Sequence, residues 1–345
     1  MRDTSQHNSC FSSGSRANCA SLQCRICGSE LITKRGVAEF FIGYTWPVYD
    51  CDDCGCRFTQ YDSSTYDLLY SEQGSCYNRY TYQAEVSKSL FDKGDVDGLR
   101  AELSLSSKYR FVIEQIDRAP AHVRILEIGS SLGHLTSYFI LTGRNITGVD
   151  ISQKAIAAAT AAFGDHFMQT GHPSIEARAP YDFIFHVGTI GCVRDPIGMT
   201  RRSLDLLRPG GSLLFNAPNR DGFTRRDQLW FDSAPPPDVV TLFAPGFWNR
   251  HFGGAALVSE EVEFCPPRGN FLIALRRRFR RKWRKPIPVS LRESERPATP
   301  APRFADPFWR FLESALCRAA QRTGQLRRAP QHPSEYGLFV RMIKG

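Results

Sequence analysis

The chain has 345 residues, of which 42% are hydrophobic and 12% aromatic, enough to bury the core of a main domain and of a smaller companion. No apolar run approaches the roughly 20 residues that a membrane-spanning helix requires. Residues 1–22 are polar and lack the layout of a secretory signal, so we expect a disordered leader and a cytoplasmic protein.

The net charge of +9 comes from one segment. Residues 268–285 contain nine Lys and Arg residues and no Asp or Glu, so the rest of the chain is balanced. Leu272, Leu275, Phe279 and Trp283 recur there at helical spacing, which predicts a basic amphipathic helix. Such a helix can contact an anionic membrane surface or a nucleic acid, or it can pack its apolar stripe on its own domain. Because the rest of the chain has no net charge, we do not expect a nucleic-acid partner. Contact with a membrane surface and packing on the chain's own domain both stay open.

Four of the 11 cysteines form two Cys-x-x-Cys pairs, Cys24 with Cys27 and Cys51 with Cys54. Two such pairs suit a tetrahedral, structural Zn²⁺ site, because four protein ligands leave no open coordination position. A redox pair and unliganded core cysteines are the alternatives, and Cys56 is a neighbour that can replace Cys54 as a ligand. We expect a zinc-ribbon-like module over residues 23–62.

A Tyr-rich linker with short helices is predicted over residues 63–102, and strands alternate with helices over residues 103–264. The predicted order is helix 103–116, strand 123–128, helix 134–141, strand 145–150, helix 152–163, strand 167–170, strand 181–187, helix 199–207, strand 212–217, helix 246–252 and strand 256–264. A basic and Pro-rich insertion with helices occupies residues 265–334, and residues 335–345 return as the final strand. This alternation is typical of an α/β fold with a doubly wound, parallel Rossmann-like sheet.

The binding chemistry is predicted at the turn after the first strand of that domain, Glu127-Ile128-Gly129-Ser130-Ser131-Leu132-Gly133. Glycines in this turn let a ligand approach backbone N–H groups, and Asp150 at the end of the next strand can accept hydrogen bonds from ribose hydroxyls. Glu127 would repel a pyrophosphate but attract an ammonium or sulfonium group, and Gly-x-Gly-x-x-Gly is absent. The pattern therefore predicts S-adenosylmethionine (SAM) rather than NAD. The predicted SAM-binding residues are Glu127, Gly129, Ser130, Ser131, Gly133, Asp150 and Ile151.

Over residues 123–219 the chain resembles the class I SAM-dependent methyltransferases in the order and spacing of several blocks. They are Leu126 to Gly133, Gly148 to Ser152, Tyr181 to Ile184, Asp195-Pro196 and Leu207 to Leu213. The resemblance implies a seven-stranded sheet, with Glu127 at the methionine amino end of SAM and Asp150 at its ribose. It also implies that Thr170-Gly171 and His186-Val187-Gly188 flank the adenine.

The chain departs from that family on the acceptor side. Gly191-Cys192 stands where many members carry Glu-His, so a histidine often proposed as a base is missing, and His172 lies near a position that is often Asp. His186 is the nearest candidate for a general base, although a buried histidine at a strand end is more often structural. The resemblance therefore implies which residues bind SAM, but it does not identify a general base.

The N-terminal cysteine module resembles that of bacterial methyltransferases, some of which act on nucleotide-linked deoxysugars. This resemblance implies a small-molecule acceptor, such as a sugar or a related metabolite. It also implies that Tyr44, Trp46, Tyr77 and Tyr80 line the acceptor pocket, unless they pack between the two modules. Two other functions remain open: an RNA or protein methyltransferase that uses the zinc module and the basic segment, and a non-catalytic scaffold.

Overall fold

The structure is a computed structural model that describes residues 22–39, 45–61, 81–222, 229–231, 236, 238–262 and 337–345. The predicted leader up to residue 21, residues 63–80 of the predicted Tyr-rich linker and the whole predicted insertion 265–334 lie outside the described residues. The basic segment 268–285 and its predicted membrane contact therefore also lie outside them.

The strands are, in chain order, β1 (Ile32–Glu39), β2 (Thr45–Cys51), β3 (Arg57–Thr59), β4 (Arg124–Ile128), β5 (Asn145–Asp150), β6 (Phe167–Gln169), β7 (Tyr181–His186), β8 (Leu207–Ala217), β9 (Thr241–Leu242), β10 (Ala256–Val262) and β11 (Leu338–Lys344). The helices are α1 (Thr81–Asp92), α2 (Val96–Leu103), α3 (Ser107–Ile116), α4 (Thr136–Leu141), α5 (Gln153–Phe163), α6 (Ser174–Ala177), α7 (Pro196–Leu206) and α8 (Phe247–Phe252).

Seven strands form the main sheet, in the order β10-β11-β8-β7-β4-β5-β6. The five strands from β8 to β6 pair in parallel, and β11 pairs antiparallel with both β8 and β10. The strand order reverses between β4 and β7, so the carboxyl ends of these strands flank a crevice where α/β proteins bind ligands. The predicted Rossmann-like, seven-stranded fold is confirmed, with an antiparallel edge that the simple parallel pattern did not contain.

Both faces of this sheet are buried, as the apolar strands predict. Ile125, Phe185 and Leu214 point to one face, where they join a cluster that includes side chains of α2, α3 and α4. Their chain neighbours Leu126, Ile184, Leu213 and Phe215 point to the other face and join the largest cluster. The alternation of neighbouring residues between two buried faces is what a doubly wound sheet requires.

Side-chain caps define the start of two helices that border the crevice. The Ser152 hydroxyl accepts from the N–H of Ala155 at the start of α5, and the Asp195 carboxylate accepts from the N–H of Gly198 at the start of α7. Pro196 follows as the first residue of α7, a position where its missing N–H costs nothing. Asp195 and Pro196 therefore stabilise the first turn of α7.

Strand β8 begins five residues earlier than predicted. The Arg208-Pro209-Gly210-Gly211 stretch looks like a turn, and Gly210 does have a φ of 71°. The pairing with β7 nevertheless jumps from Tyr181 opposite Leu207 to Phe183 opposite Ser212, so the stretch forms an irregularity within one strand. Local composition identified the distortion, but the strand continues through it because both of its ends pair with β7.

A second sheet has the order β1-β2-β3-β9, with every neighbouring pair antiparallel. Its first three strands come from the cysteine-rich N-terminal segment. The fourth, β9, comes from the segment after β8, so the two parts of the chain share one sheet. Among the described residues, no helix combines the length and apolarity needed to cross a membrane.

Candidate functional site

The turn after β4 is held in shape by hydrogen bonds to β5. The N–H groups of Gly129 and Ser130 both donate to the carbonyl oxygen of Val149, at 2.7 and 3.0 Å. Gly129 and Gly133 have φ angles of 79° and 75°, in the left-handed region that favours glycine. A Cβ atom on Gly133 would in addition lie 2.6 Å from the Phe167 ring. Conformation and close packing therefore both select glycine at residue 133.

Ser131 and Asp150 close this turn onto the end of β5. Ser131 has a φ of 49° and is the only non-glycine residue with a positive φ in the described part of the chain. Its N–H donates to Asp150 Oδ2 at 2.8 Å, and the N–H of Ser152 donates to Oδ1 at 3.0 Å. Because a carboxylate offers about four lone-pair positions, Asp150 retains accepting capacity for ligand hydroxyls. Ile151 beside it is 40% exposed, an apolar surface next to this carboxylate.

Glu127 lies at the carboxyl end of β4 and is almost completely buried. The Thr136 hydroxyl, at the start of α4, donates to its Oε2 atom. Burial, and to a smaller extent the nearby Asp150 carboxylate, raise the pKa of Glu127 to about 8 against the opposing effect of the Thr136 hydrogen bond. No basic side chain of the described residues forms an ion pair with Glu127.

The turn also contains a second buried polar group, the Ser130 hydroxyl. Its Oγ atom is inaccessible to solvent and has no hydrogen-bond partner within the described ranges. Buried polar atoms without partners are uncommon in proteins, and each calls for an explanation such as a ligand. A buried acid without a cation and a buried hydroxyl without a partner, on one glycine turn, are compatible with a ligand that carries an ammonium group. The residues present therefore fit SAM.

His186, the candidate base, lies at the end of β7. Its ring is fully buried and stacks on the Phe215 ring at a centroid distance of 4.6 Å. Neither ring nitrogen has a hydrogen-bond partner in the described structure. Burial lowers the pKa of His186 to about 3, so its ring is neutral at pH 7. This position does not favour a role in proton transfer.

The loop after β7 lies at the same edge of the sheet as the turn. A hydrogen bond of 3.4 Å from the Thr189 hydroxyl to the carbonyl oxygen of Ile128 connects the two. A Cβ atom on Gly191 would lie 2.5 Å from the Pro218 ring and 3.2 Å from the Thr241 carbonyl oxygen. Pro218 and β9 therefore leave no room for a side chain at residue 191, where the family often carries Glu.

The four predicted zinc ligands come together in the structure. Their sulfur atoms all lie within 4.8 Å of one another, with Cys24 and Cys54 Sγ 3.8 Å apart and Cys27 and Cys51 Sγ 3.6 Å apart. A tetrahedral Zn²⁺ site with Zn–S bonds of about 2.3 Å requires S–S edges of about 3.8 Å. The donor set and its spacing therefore fit Zn²⁺. Cys56 is buried beside this group but is not one of the four.

The two cysteine pairs have the same backbone turn. In each, a glycine with positive φ follows the second cysteine and donates its N–H to the carbonyl of the first: Gly28 to Cys24 at 2.8 Å and Gly55 to Cys51 at 3.0 Å. Two arginines bind the second turn: Arg250 Nη2 donates to the Cys54 carbonyl oxygen, and Arg220 Nη1 donates to the Gly55 carbonyl oxygen. Four thiolates around Zn²⁺ carry a net negative charge, which these cations would offset.

Two residues of the site, Thr136 and Gly55, are missing from the sequence prediction. Thr136 is an ordinary helix residue in the pattern, and only the fold brings its hydroxyl to Glu127. Gly55 could have been predicted from the sequence, because it directly follows Cys54 as Gly28 follows Cys27. Of the aromatic residues that the resemblance placed at the acceptor pocket, Trp46 lies half-buried on β2. The other three, Tyr44, Tyr77 and Tyr80, lie outside the described residues.

Comparison with known proteins agrees with the geometry of the turn and sheet. Residues 100–257 match a family model described as a methyltransferase domain. This part of the chain, somewhat less than half of it, is therefore similar to a methyltransferase domain. The match contains the turn, Asp150 and the loop after β7, and it excludes both cysteine pairs.

Two curated proteins similar to this chain are ubiquinone biosynthesis O-methyltransferases. The protein of Aromatoleum aromaticum is 30% identical over 122 residues, which cover 32% of this chain and 50% of that protein. The protein of Nitrosospira multiformis is 28% identical over 108 residues, covering 28% of this chain and 44% of that protein. The chain thus spans about half the length of these relatives. A solved structure of a SAM-dependent methyltransferase from Archaeoglobus fulgidus aligns with a TM-score of 0.40 at 13% identity, covering 69% of this chain and 92% of that one.

Proposed function

We propose that the protein is a SAM-dependent methyltransferase that acts on a small-molecule acceptor. The observation that carries the proposal is Glu127, a buried acid that has no basic partner in the described ranges and lies beside a glycine turn in a methyltransferase domain. A buried carboxylate is costly unless a cation pairs with it. The ammonium group of SAM would be such a cation.

The residues of the chain divide the binding of SAM among them. Glu127 would hold the amino end of the methionine part, and the Ser130 hydroxyl lies on the same turn. Asp150 would accept hydrogen bonds from the ribose, and the exposed Ile151 side chain offers an apolar surface for the purine. When bound, SAM supplies an electrophilic methyl group on its sulfonium sulfur. The protein would contribute by holding an acceptor atom in line with that methyl group.

The names of the curated relatives favour a small molecule with a hydroxyl group as the acceptor. Those relatives match over only 122 and 108 residues, so they support the reaction class more than the acceptor. They offer no support for a sugar in particular. We therefore propose hydroxylated small molecules as the first class to test, with RNA and protein as comparison arms.

The four cysteines are proposed to hold one structural Zn²⁺ ion. Their thiols are crowded, and those of Cys24, Cys51 and Cys54 are buried. The contact with Cys54 and burial raise the pKa of Cys24 above its usual range. Four thiols at this spacing become compatible with ionisation only when a cation lies among them. The metal would fold the N-terminal module and take no part in methyl transfer.

Titration calorimetry tests the proposed function directly. We expect the purified protein to bind both SAM and its demethylated product, S-adenosylhomocysteine, and Glu127→Gln to bind SAM more weakly. The matched control is Glu176→Gln, which removes an exposed carboxylate on α6 and should leave binding unchanged. Formation of S-adenosylhomocysteine is then measured with hydroxylated small molecules, RNA and protein. If the protein binds neither SAM nor S-adenosylhomocysteine, the assignment as an enzyme is wrong.

A further inference from the structure

Arg25, between the first two cysteines, binds atoms that are distant in the chain. Its Nη2 donates to the carbonyl oxygens of Val193 and Arg194 at 2.9 and 3.0 Å. Its Nη1 donates to the carbonyl oxygen of Val240 at 3.2 Å and to the Thr241 hydroxyl at 2.7 Å. One guanidinium group thus joins the first cysteine turn to the loop after β7 and to β9.

The acceptors of Arg25 are themselves bound to the site loop. The N–H groups of Val240 and Thr241 donate to the Gly191 carbonyl oxygen at 2.8 and 3.1 Å. Gly191 lies two residues from Thr189, whose hydroxyl reaches the carbonyl oxygen of Ile128 just before the glycine turn. Hydrogen bonds and the backbone of residues 189–191 therefore connect the first cysteine turn to the edge of the proposed SAM site.

The environment of Arg25 is costly unless every one of these bonds forms. All four hydrogen-bond acceptors are uncharged, and the Tyr61 ring lies 5.5 Å from the guanidinium carbon. The planar fork of arginine matches two pairs of acceptors at once, which a lysine ammonium group cannot do.

We propose that Arg25 is a positioning residue that connects the four-cysteine module to the loop 188–194 on the acceptor side of the methyltransferase domain. It would hold that loop in the place where the methyl acceptor binds, only as long as the first cysteine turn is folded. This role rests on the proposed function, because it concerns the acceptor half of that same site. The SAM turn makes its own hydrogen bonds to β5 and does not depend on Arg25.

Hydrogen exchange on the full, zinc-loaded chain tests this link with Arg25→Met, which keeps the length of the side chain and removes the charge and the fork. We expect the amides of Val240 and Thr241 to exchange at least about tenfold faster, since they lose a charged hydrogen-bond partner on their segment. The amides of Gly129 and Ser130 should keep their rates, and zinc content should stay at one ion per chain. Once an acceptor is known, its KM should rise while the KM for SAM stays the same.

Two further variants control the experiment. Arg35→Met removes an arginine of the same module whose side chain is 50% exposed and pairs only loosely with Asp50, and it should change none of these rates. Arg25→Lys keeps the charge without the fork and should give an intermediate rate, which also serves as the test if Arg25→Met loses zinc.

Unchanged exchange at Val240 and Thr241 would overturn the proposal. An equal loss of protection throughout both sheets would also overturn it, because Arg25 would then be needed only for folding. If wild-type protein binds neither SAM nor S-adenosylhomocysteine while Arg25→Met still loosens Val240 and Thr241, the link stands and the proposed function alone fails.

Discussion

The two sides of the proposed site are held by contacts of different range. On the cofactor side, Asp150 binds the N–H of Ser131, 19 residues away, and Thr136 binds Glu127, nine residues away. On the acceptor side, Arg25 binds residues 168 to 216 positions away. The cofactor side is therefore a property of one strand–turn–helix unit and its neighbouring strand. If Arg25 has the proposed role, the acceptor side forms only when the N-terminal module has docked.

This difference has a consequence for stability. A unit built from short-range contacts can form as soon as its own strands pair, whereas a surface built from distant segments forms only after loop closure. We expect loss of the N-terminal module to remove the acceptor side and to spare the cofactor side.

Removal of one zinc ligand should have the largest effect. Cys24→Ser or strong chelation should release the metal and unfold the sheet β1-β2-β3-β9, because a small module of this kind depends on metal binding for folding. Zinc content measured by mass spectrometry and exchange rates in β1 and β2 report the loss. S-adenosylhomocysteine binding should persist, weakened by less than about tenfold. Complete loss of that binding would contradict the separation of the two sides.

The control for this prediction is Cys56→Ala. Cys56 is buried next to the four ligands but does not belong to the group whose sulfurs lie within 4.8 Å. The variant should keep one zinc ion per chain, whereas Cys54→Ala should lose it. The opposite result would assign Cys56 as the fourth ligand.

Glu127→Gln should have the next largest effect, confined to the cofactor side. Loss of a buried charge partner for an ammonium group should weaken SAM binding by about 10- to 100-fold. In the folded, ligand-free protein the pKa of Glu127 is about 8, so this carboxyl is largely protonated at pH 7. Binding of the SAM ammonium group should therefore release a proton from Glu127 at that pH. Wild-type affinity should therefore rise between pH 6 and 8, and calorimetry in buffers of different ionisation enthalpy should detect the proton. The variant should show neither effect.

The same substitution should raise the stability of the ligand-free protein. The carboxyl of Glu127 ionises near pH 4.5 when exposed and near 8 when buried, so the folded state holds the proton more tightly. Folded wild-type protein should thus lose stability as the pH rises from 4.5 to 8, and Glu127→Gln should lack this loss. Unfolding free energies at pH 5 and 8 measure it. Equal pH dependence in both proteins would mean that Glu127 is ionised or paired in the free protein.

The cofactor side was more accessible to prediction because its signals are local. Buried apolar strands, the Ser152 cap and the acids at strand ends all lie within the segments that they organise, and the predicted sheet is confirmed. The early start of β8 was missed because Gly210 and Gly211 indicate a turn, while pairing with β7 overrides that preference. The sharing of one sheet by β3 and β9 has no local signal at all. Neither does Arg25, since its partners are set by tertiary structure.

His186→Phe should have little effect on methyl transfer. The ring is buried against Phe215, and its nitrogens have no partner in the described part of the molecule, so an apolar ring of similar shape fits the same place. We expect kcat within about threefold of wild type and equal or greater stability, whereas loss of a true general base costs about 10²- to 10⁴-fold. Rates of S-adenosylhomocysteine formation across a pH series measure the effect. A drop of that size, with the acidic limb of the profile changed, would establish His186 as the base.

Ser131→Gly should have the smallest effect, and it tests how far the turn depends on strain. Ser131 adopts a φ of 49°, which costs a side chain roughly 1 kcal/mol, while glycine loses about 0.5–1 kcal/mol more chain entropy on folding. The two nearly cancel, so the free energy of unfolding should change by less than about 1 kcal/mol and SAM affinity by less than about twofold.

The comparison variant is Gly133→Ala, which we expect to be destabilised. Its new Cβ would lie 2.6 Å from the Phe167 ring, in a left-handed backbone conformation. Thermal unfolding of both variants should show a clear loss of Tm only for Gly133→Ala. A clear loss in Ser131→Gly would instead show that the side chain of residue 131 stabilises the turn.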